Sequence, residues 1–404
     1  MATLVPFRAL RPPPVLAARV ASPPYDVIST QEARALAAGN PESFLHVSRP
    51  EIDLAESVNE HAEEVYRQGR AALRSFVAGG ILRADPEKRL YVYSQRMGGH
   101  EQAGIVACAS VDEYERGQIR KHEKTRADKE DDRRRHIEAL EAHDEPVFLT
   151  YRARPPIDGL VAEVRKAAPE VDLVTADQVS HTLWVVPPGL EGEMLALFAE
   201  VPALYVADGH HRSAAAARVH ATRRGQPGEH DVFLAVVFPH NQMQILPYNR
   251  LVRDPRQRRP EALLAELRRG MEVEPASQPR PEAPLSFGVF LGGRWWTARA
   301  RPGSYDPEDP VAALDCSIAQ DQILGPIFGI RDPRTSKDVD FVGGIRGQAE
   351  LERRVAAEGW SIALSLFPTR MDQLMSVSDA GKLMPPKSTW FEPKLRSGLF
   401  VHPF

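Results

Sequence analysis

The stretch Ala203-Leu204-Tyr205-Val206-Ala207-Asp208-Gly209-His210-His211-Arg212 constrains the fold of this chain more than any other. An apolar run breaks on Asp208-Gly209 and continues into the alanine-rich segment Ser213 to Arg218, the pattern of a strand, a tight loop and a helix. Such a junction leaves backbone N–H groups without intrahelical partners in the first turn, where the helix dipole also favours an anion. Arg212 adds a planar fork suited to phosphate or carboxylate, and Gly209 permits the sharp turn and close backbone approach. Asp208, His210 and His211 crowd titratable groups around the loop. The simplest ligand is a phosphate. The plain alternative is an Asp-Gly turn capping a helix with two exposed histidines, which leaves the arginine after the histidine pair without a purpose.

A chain of 404 residues exceeds the usual size of one core and suggests two to three domains, or one large domain with additions. With 43% hydrophobic and 26% charged residues the composition is that of an ordinary globular protein, and a net charge of -4 argues against a general nucleic-acid binder. Cys108 and Cys316 lie far apart, so neither a disulfide framework nor a cysteine zinc site is indicated, and a reducing compartment fits best. Met1 to Val20 scatters arginines through a proline-bearing stretch unlike a signal peptide, and no apolar run is long enough to cross a bilayer. The expectation is a soluble cytoplasmic protein with no membrane partner.

Along the chain, Ser22 to Ser29 is a rigid extended entry, Thr30 and Glu32 start a short helix through Ala38, and Asn59 to Phe76 has amphipathic helical spacing. Leu90 to Ser94 and Gly104 to Ala109 flank Gly98-Gly99-His100 as a β-hairpin, and Val147 to Tyr151 is a further strand. Arg120 to His143 is intensely charged and helical in its second half, with Ile137 and Leu140 facing inward. Val161 to Ala168 reads as a helix and Thr182 to Val186 as a strand. Beyond the Asp-Gly loop, Val232 to Phe238 and Met243 to Val252 read as a hairpin turned at His240-Asn241. The proline- and arginine-rich stretch 253–284, with a helix at Glu261 to Arg269, is the expected boundary between an N-terminal α+β region, 1–252, and a C-terminal α+β region, 285–404, packing on the first. In the latter, Phe287 to Leu291 and Trp295 to Ala298 form a hairpin, Val311 to Leu324 a helix and Ser361 to Phe367 a strand. Hairpins outnumber βαβ units, so the expected class is α+β rather than a doubly wound sheet.

A second polar constellation, Lys121-His122-Glu123-Lys124-Thr125-Arg126, packs acidic, basic and phosphate-binding side chains into six positions; its plain reading is a solvated helix start. His122-Glu123 lacks the second histidine of a zinc-binding helix, and the adjacent His210 and His211 would diverge on a helix, so no protein-held metal is expected. A magnesium ion carried on substrate phosphates needs no dedicated motif and stays open. The chain has no Gly-x-Ser-x-Gly elbow and no Walker or kinase-type glycine loop.

Ser22-Pro-Pro-Tyr-Asp-Val-Ile-Ser29, Lys121 to Arg126, Ala207 to Arg212, Asp340-Phe-Val-Gly-Gly344 and Met384-Pro-Pro-Lys-Ser-Thr-Trp-Phe391 resemble, in this order, the signature segments of the bacterial "domain of unknown function 1015" family. The Asp-Gly-His-His-Arg segment resembles in turn the phosphate-binding loop of the ParB/sulfiredoxin-like superfamily, which implies such a core within a larger protein of hairpins and flanking helices. His210 stands where sulfiredoxins carry their catalytic cysteine, and no ParB-type DNA-binding helical domain is evident, so the resemblance points to the free-serine-kinase branch. It implies phosphoryl transfer from ATP or ADP with Mg2+ to the hydroxyl of a small metabolite, free L-serine being one, with no specific nucleic-acid partner. In that reading Gly209, Arg212, Lys121, His122, Thr125 and Arg126 bind the nucleotide phosphates, and Glu123 accepts the hydroxyl proton. His210 and His211 hydrogen-bond the moving phosphoryl oxygens, Asp208 orients a histidine or the metal, and Tyr25, Asp26 and Lys387 line the acceptor pocket. For Tyr25 and Asp26 a buried rigid turn, and for Lys387 a proline-fixed turn facing water, are the competing readings. The competing function is a nucleotide-binding regulatory protein of ParB-like switch type without kinase activity. Arg212 is expected at the loop edge, where its removal spares the fold.

Overall fold

In a computed structural model, which describes residues 2–404, the chain divides into two compact units. The first comprises the residues up to Lys121, Thr125–Met243 and Pro393–Phe404; the second comprises His122–Lys124 and Gln244–Glu392. The division differs from the expected one. It falls at Met243/Gln244 rather than within 253–284, and the last twelve residues, Pro393–Phe404, belong to the first unit. Composition marks where a chain is polar and proline-rich, whereas a unit is defined by which segments share a core.

The first unit is built on a nine-stranded sheet of the described residues. Its strands are β1 (Leu4–Val5), β2 (Tyr91–Met97), β3 (His100–Ser110), β4 (Ile119–Arg120), β5 (Val147–Tyr151), β6 (Val171–Val174), β7 (Val179–Val185), β8 (Leu204–Asp208) and β9 (Val232–Pro239). They run in the order β4-β8-β5-β9-β3-β2-β7-β6, with β1 beside β3. The pairs β4/β8 and β5/β9 are parallel and the others antiparallel, a mixed arrangement consistent with α+β. The sequence explains the order. β9 is a continuous apolar run and β5 one interrupted only by Thr150, both buried at every residue, as strands covered on both faces must be, while edge strand β6 alternates buried and exposed.

The hairpin at Gly98-Gly99-His100 and the strand Val147–Tyr151 are as expected. The expected hairpin from Val232 to Val252 is not formed: β9 pairs instead with β3 and β5, and Tyr248–Val252 joins the second unit's sheet. Local turn chemistry at His240-Asn241 reverses the chain without dictating the partner strand, which the larger buried surface decides. Helices α1 (Glu63–Ala78), α2 (Ala127–Leu140), α3 (Pro155–Val164), α4 (Pro188–Ala199) and α5 (His210–Arg223) accompany this sheet. α3 starts six residues before Val161 because Pro155 and Pro156 supply the φ of a first helical turn. α2 packs on α1 and α5, with Ile137 against Ala215 and Val219. The short helix Thr30–Ala37 is capped by Ser29 in a capping box with Glu32. At the C-terminus His402–Pro403 pairs with Ala142–His143, and Val401 exchanges backbone hydrogen bonds with Leu10.

The second unit holds a six-stranded antiparallel sheet of β10 (Tyr248–Val252), β11 (Met271–Pro275), β12 (Ser286–Leu291), β13 (Arg294–Ala300), β14 (Val339–Gly343) and β15 (Ile362–Leu366), in the order β11-β13-β12-β15-β10-β14. The β12/β13 hairpin, the strand Ile362–Leu366 and the helix Pro260–Gly270 lie where the sequence places them. The expected helix from Val311 to Leu324 is only Asp315–Ala319 followed by a π-helical stretch, Gln320–Leu324. No helix among the described residues is long and apolar enough to cross a membrane.

Candidate functional site

The strand–loop–helix junction read from the sequence is present in the first unit: β8 ends at Asp208, Gly209 turns the chain at φ 94°, and α5 begins at His210. A side chain at Gly209 would be strained at that φ, and its Cβ would lie 3.1 Å from Arg212 Nε. Among the described residues the N-cap Gly209 gives α5 no side-chain cap, and the first turn carries no acidic residue to offset the positive end of the helix dipole. Asp208 Oδ1 accepts the Gly209 N–H at 2.8 Å, and Oδ2 accepts from Lys394 Nζ at 2.9 Å. Burial works to raise the Asp208 pKa, but Lys394, Arg212 and His210 more than offset it and hold the carboxyl below the usual carboxylate range.

Arg212 is not at the loop edge. It is 7% exposed, and its guanidinium turns inward, donating from Nη1 to the Pro146 carbonyl. Burial pulls its pKa down, but Asp26, Glu145, Asp208 and Tyr25 outweigh this and keep it charged. The correction is physical. An arginine in the first turn of a helix lying on a sheet reaches a partner in the interior more readily than solvent when acids are buried there. His210 is buried, and half-buried His211 accepts the Arg126 backbone N–H at Nε2 (3.2 Å), which fixes the proton of its neutral form on Nδ1.

Behind Arg212 lies a buried charged cluster. Glu145 Oε1 accepts from the Tyr25 N–H (3.0 Å) and Ser397 Oγ (2.7 Å), while Asp144 Oδ2 faces His136 Nε2 at 3.0 Å. Arg133 stacks on the Tyr25 ring, 4.0 Å from its centroid. Burial, opposed by Arg212 and reinforced by Asp144 and Asp26, pushes the Glu145 carboxyl up to about 7. Tyr25 thus sits within this cluster as a buried residue, with Asp26 exposed beside it.

Lys121 Nζ lies 4.1 Å from the centroid of the Tyr114 ring. Burial lowers the Lys121 pKa against the pull of Glu130 and Glu115. Thr125 Oγ1 donates to Glu130, and the exposed Arg126 pairs with Asp128 at 2.6 Å. Within the first unit, the Arg126 backbone meets the beginning of α5 through His211. His122 and Glu123 belong to the second unit, where the His122 carbonyl accepts from the Met384 N–H (2.7 Å) and His122 Nε2 lies 3.4 Å from Thr389 Oγ1; Glu123 is half-buried. Lys387, also in the second unit, has φ 56°; its carbonyl accepts from Arg250 and its Nζ lies over the Tyr248 ring.

Sequence reasoning missed Glu145, Asp144, Arg133 and Lys394. A signal existed for two of them: His143-Asp144-Glu145-Pro146 sets charges directly against an apolar strand, where solvation is about to be lost. Arg133 is one charge among many in α2, and Lys394 is remote in sequence.

Residues 4–317 match the model of a family described as "Protein of unknown function (DUF1015)". The chain belongs to this family. The DUF1015 match takes in the segments at 22–29, 121–126 and 207–212; those at 340–344 and 384–391 lie beyond it. Comparison with curated proteins gave no match. Among solved structures, a free serine kinase in complex with AMP is similar at 9% identity and a TM-score of 0.37, over 71% of this chain and 86% of that one. SbnI with a C-terminal truncation from Staphylococcus aureus is similar at 12% identity and a TM-score of 0.41, over 74% and 87%. A conserved hypothetical protein from Pyrococcus furiosus gives 11%, 0.37, 74% and 95%.

Proposed function

We propose that this DUF1015 protein binds a nucleotide by its phosphates at the Gly209 loop and transfers a phosphoryl group to the hydroxyl of a small metabolite, free L-serine being the first acceptor to try. The observation that carries the reading is the uncapped, acid-free first turn of α5 behind a left-handed glycine, with the Arg126 backbone brought alongside. The likeness of the Asp-Gly-His-His-Arg segment to the ParB/sulfiredoxin-like phosphate loop supports it. The N–H groups of α5 and the charges of Lys121 and Arg126 hold the phosphates, while Arg212 contributes through its field from within. His210 and His211 hydrogen-bond the phosphoryl oxygens. The acceptor oxygen forms its bond to phosphorus as the bond to the nucleotide oxygen breaks, and Glu123, assigned on the sequence motif alone, takes the hydroxyl proton. Because Asp208 is already neutralised by Lys394, Mg2+ fits as an ion carried on the nucleotide phosphates rather than on this carboxylate.

A regulatory nucleotide-binding protein is the second reading, favoured by the internal engagement of Asp208 and Arg212. Incubation with labelled ATP or ADP, Mg2+ and a pool of hydroxyl metabolites that includes serine separates the two. Phosphorylated product supports the transferase; tight nucleotide binding with no product from either donor leaves the regulatory reading; no binding rejects both.

A further inference from the structure

Glu145 and Arg212 line a cavity of about 10 Å3, the room of one water molecule, together with Arg133 and Asp144. Two buried atoms in this lining, Glu145 Oε2 and Arg212 Nε, have no hydrogen-bond partner among the described residues. With Glu145 ionised, one water in this space joins Oε2 to the Arg212 Nε–H; with Glu145 protonated on Oε2, the same space takes its O–H. We propose that Glu145 is a positioning residue for the Gly209 loop, taking a proton onto Oε2 from solvent when an anion binds at the loop and returning it when the anion leaves. The inference rests on the phosphate-loop reading above.

The groups around the carboxyl support it. Arg212, from α5, favours the ionised form; Asp144 beside it and Asp26 from the N-terminal segment oppose that form. Tyr25 N–H and Ser397 Oγ both hold Oε1 and leave Oε2 to the cavity, and Arg133 of α2 carries the remaining positive charge of the lining. Burial poises the group near neutrality. Arg212 is the link, since it lies one helical turn from Gly209 and lines the same cavity as Glu145. With Glu145 ionised, part of the Arg212 field is spent inward. With Glu145 protonated, that field is available at the loop. An anion at the loop therefore favours proton uptake, and by linkage low pH favours the anion.

The test is calorimetric titration of ADP into the full chain and into Glu145→Gln from pH 6 to pH 8, in buffers of different ionisation heat. The nucleotide and every other group of the chain are common to both proteins, so the difference between the two isolates Glu145. The expected result is proton uptake that the variant lacks, and an affinity falling about tenfold more across the range in the wild type, equivalent to one pH unit of coupling. Equal pH slopes and equal proton counts overturn the inference while leaving the phosphate loop standing. ADP binding to neither protein overturns the loop reading itself. Should Glu145→Gln fail to fold, difference infrared spectra of the wild type at pH 7 decide: ADP must raise a protonated-carboxyl C=O band, and its absence refutes the uptake.

Discussion

Replacing Arg212 with alanine tests whether this arginine is a surface phosphate fork or an interior counter-charge. The side chain is 7% exposed, donates to the Pro146 carbonyl and compensates Asp26, Glu145 and Asp208. Removing one partner from a buried charge cluster costs about 3–5 kcal/mol, part of it the orphaned carbonyl. The loss must also depend on pH. Glu145 titrates at about 7 beside Arg212, and without that charge its carboxyl holds its proton to higher pH. Above neutrality the folded variant thus keeps a proton that the folded wild type and both unfolded chains have released. Variant stability then falls by about 1.4 kcal/mol per pH unit relative to wild type. Below pH 6 both folded forms are protonated at Glu145 and the difference levels off. Urea unfolding followed by circular dichroism at pH 6 and pH 8 measures this directly. A loss under about 1 kcal/mol, equal at both pH values, would refute the interior role and restore Arg212 to the loop edge.

Four further outcomes are expected. Gly209→Ala should cost about 1–2 kcal/mol from its φ of 94° and, by pressing on Arg212, weaken ADP binding several-fold by calorimetry; unchanged affinity would separate the loop from the phosphates. Glu123→Gln should lower phosphoryl transfer to a hydroxyl acceptor by about a hundredfold or more with ADP affinity little changed, and equal turnover in the two proteins would remove Glu123 as the base. Burial depresses His143 and His181 to about 3, so the unfolded chain binds protons first and stability is lost as pH falls from about 6.5 toward 3; His181→Gln should flatten that acid limb by up to about 1.4 kcal/mol per pH unit in urea titrations, and an unchanged limb would show His181 is not buried neutral. Gly288→Ala places a Cβ 2.1 Å from the Pro279 carbonyl oxygen and should destabilise the second unit by about 3 kcal/mol or more, readable as a shifted melting transition; a silent substitution would mean that β12 and the loop carrying Pro279 are less closely apposed.

Features decided by neighbouring residues were legible in the sequence. The break from apolar run to Asp208-Gly209 and then to an alanine-rich segment specifies a strand, a tight loop and a helix, and the structure has all three, because backbone sterics and side-chain period act over a few residues. The same holds for the Gly98-Gly99 and Gly292-Gly293 hairpins and for the buried strand Val147–Tyr151. Tertiary structure alone decided which strand each run pairs with, so Val232–Pro239 joins Val147–Tyr151 and His100–Ser110 rather than the segment that follows it. It also decided which charges lose water. Arg212 reads as a phosphate fork until the fold sets Glu145, Asp26 and Asp208 around it, and Lys394 reads as one lysine near the chain's end until it meets Asp208, 186 positions away. Periodicity and turn chemistry are local and survive in the letters. Desolvation and charge pairing depend on what lies within a few ångströms in space, and that distance is fixed only when the sheet closes over its helices.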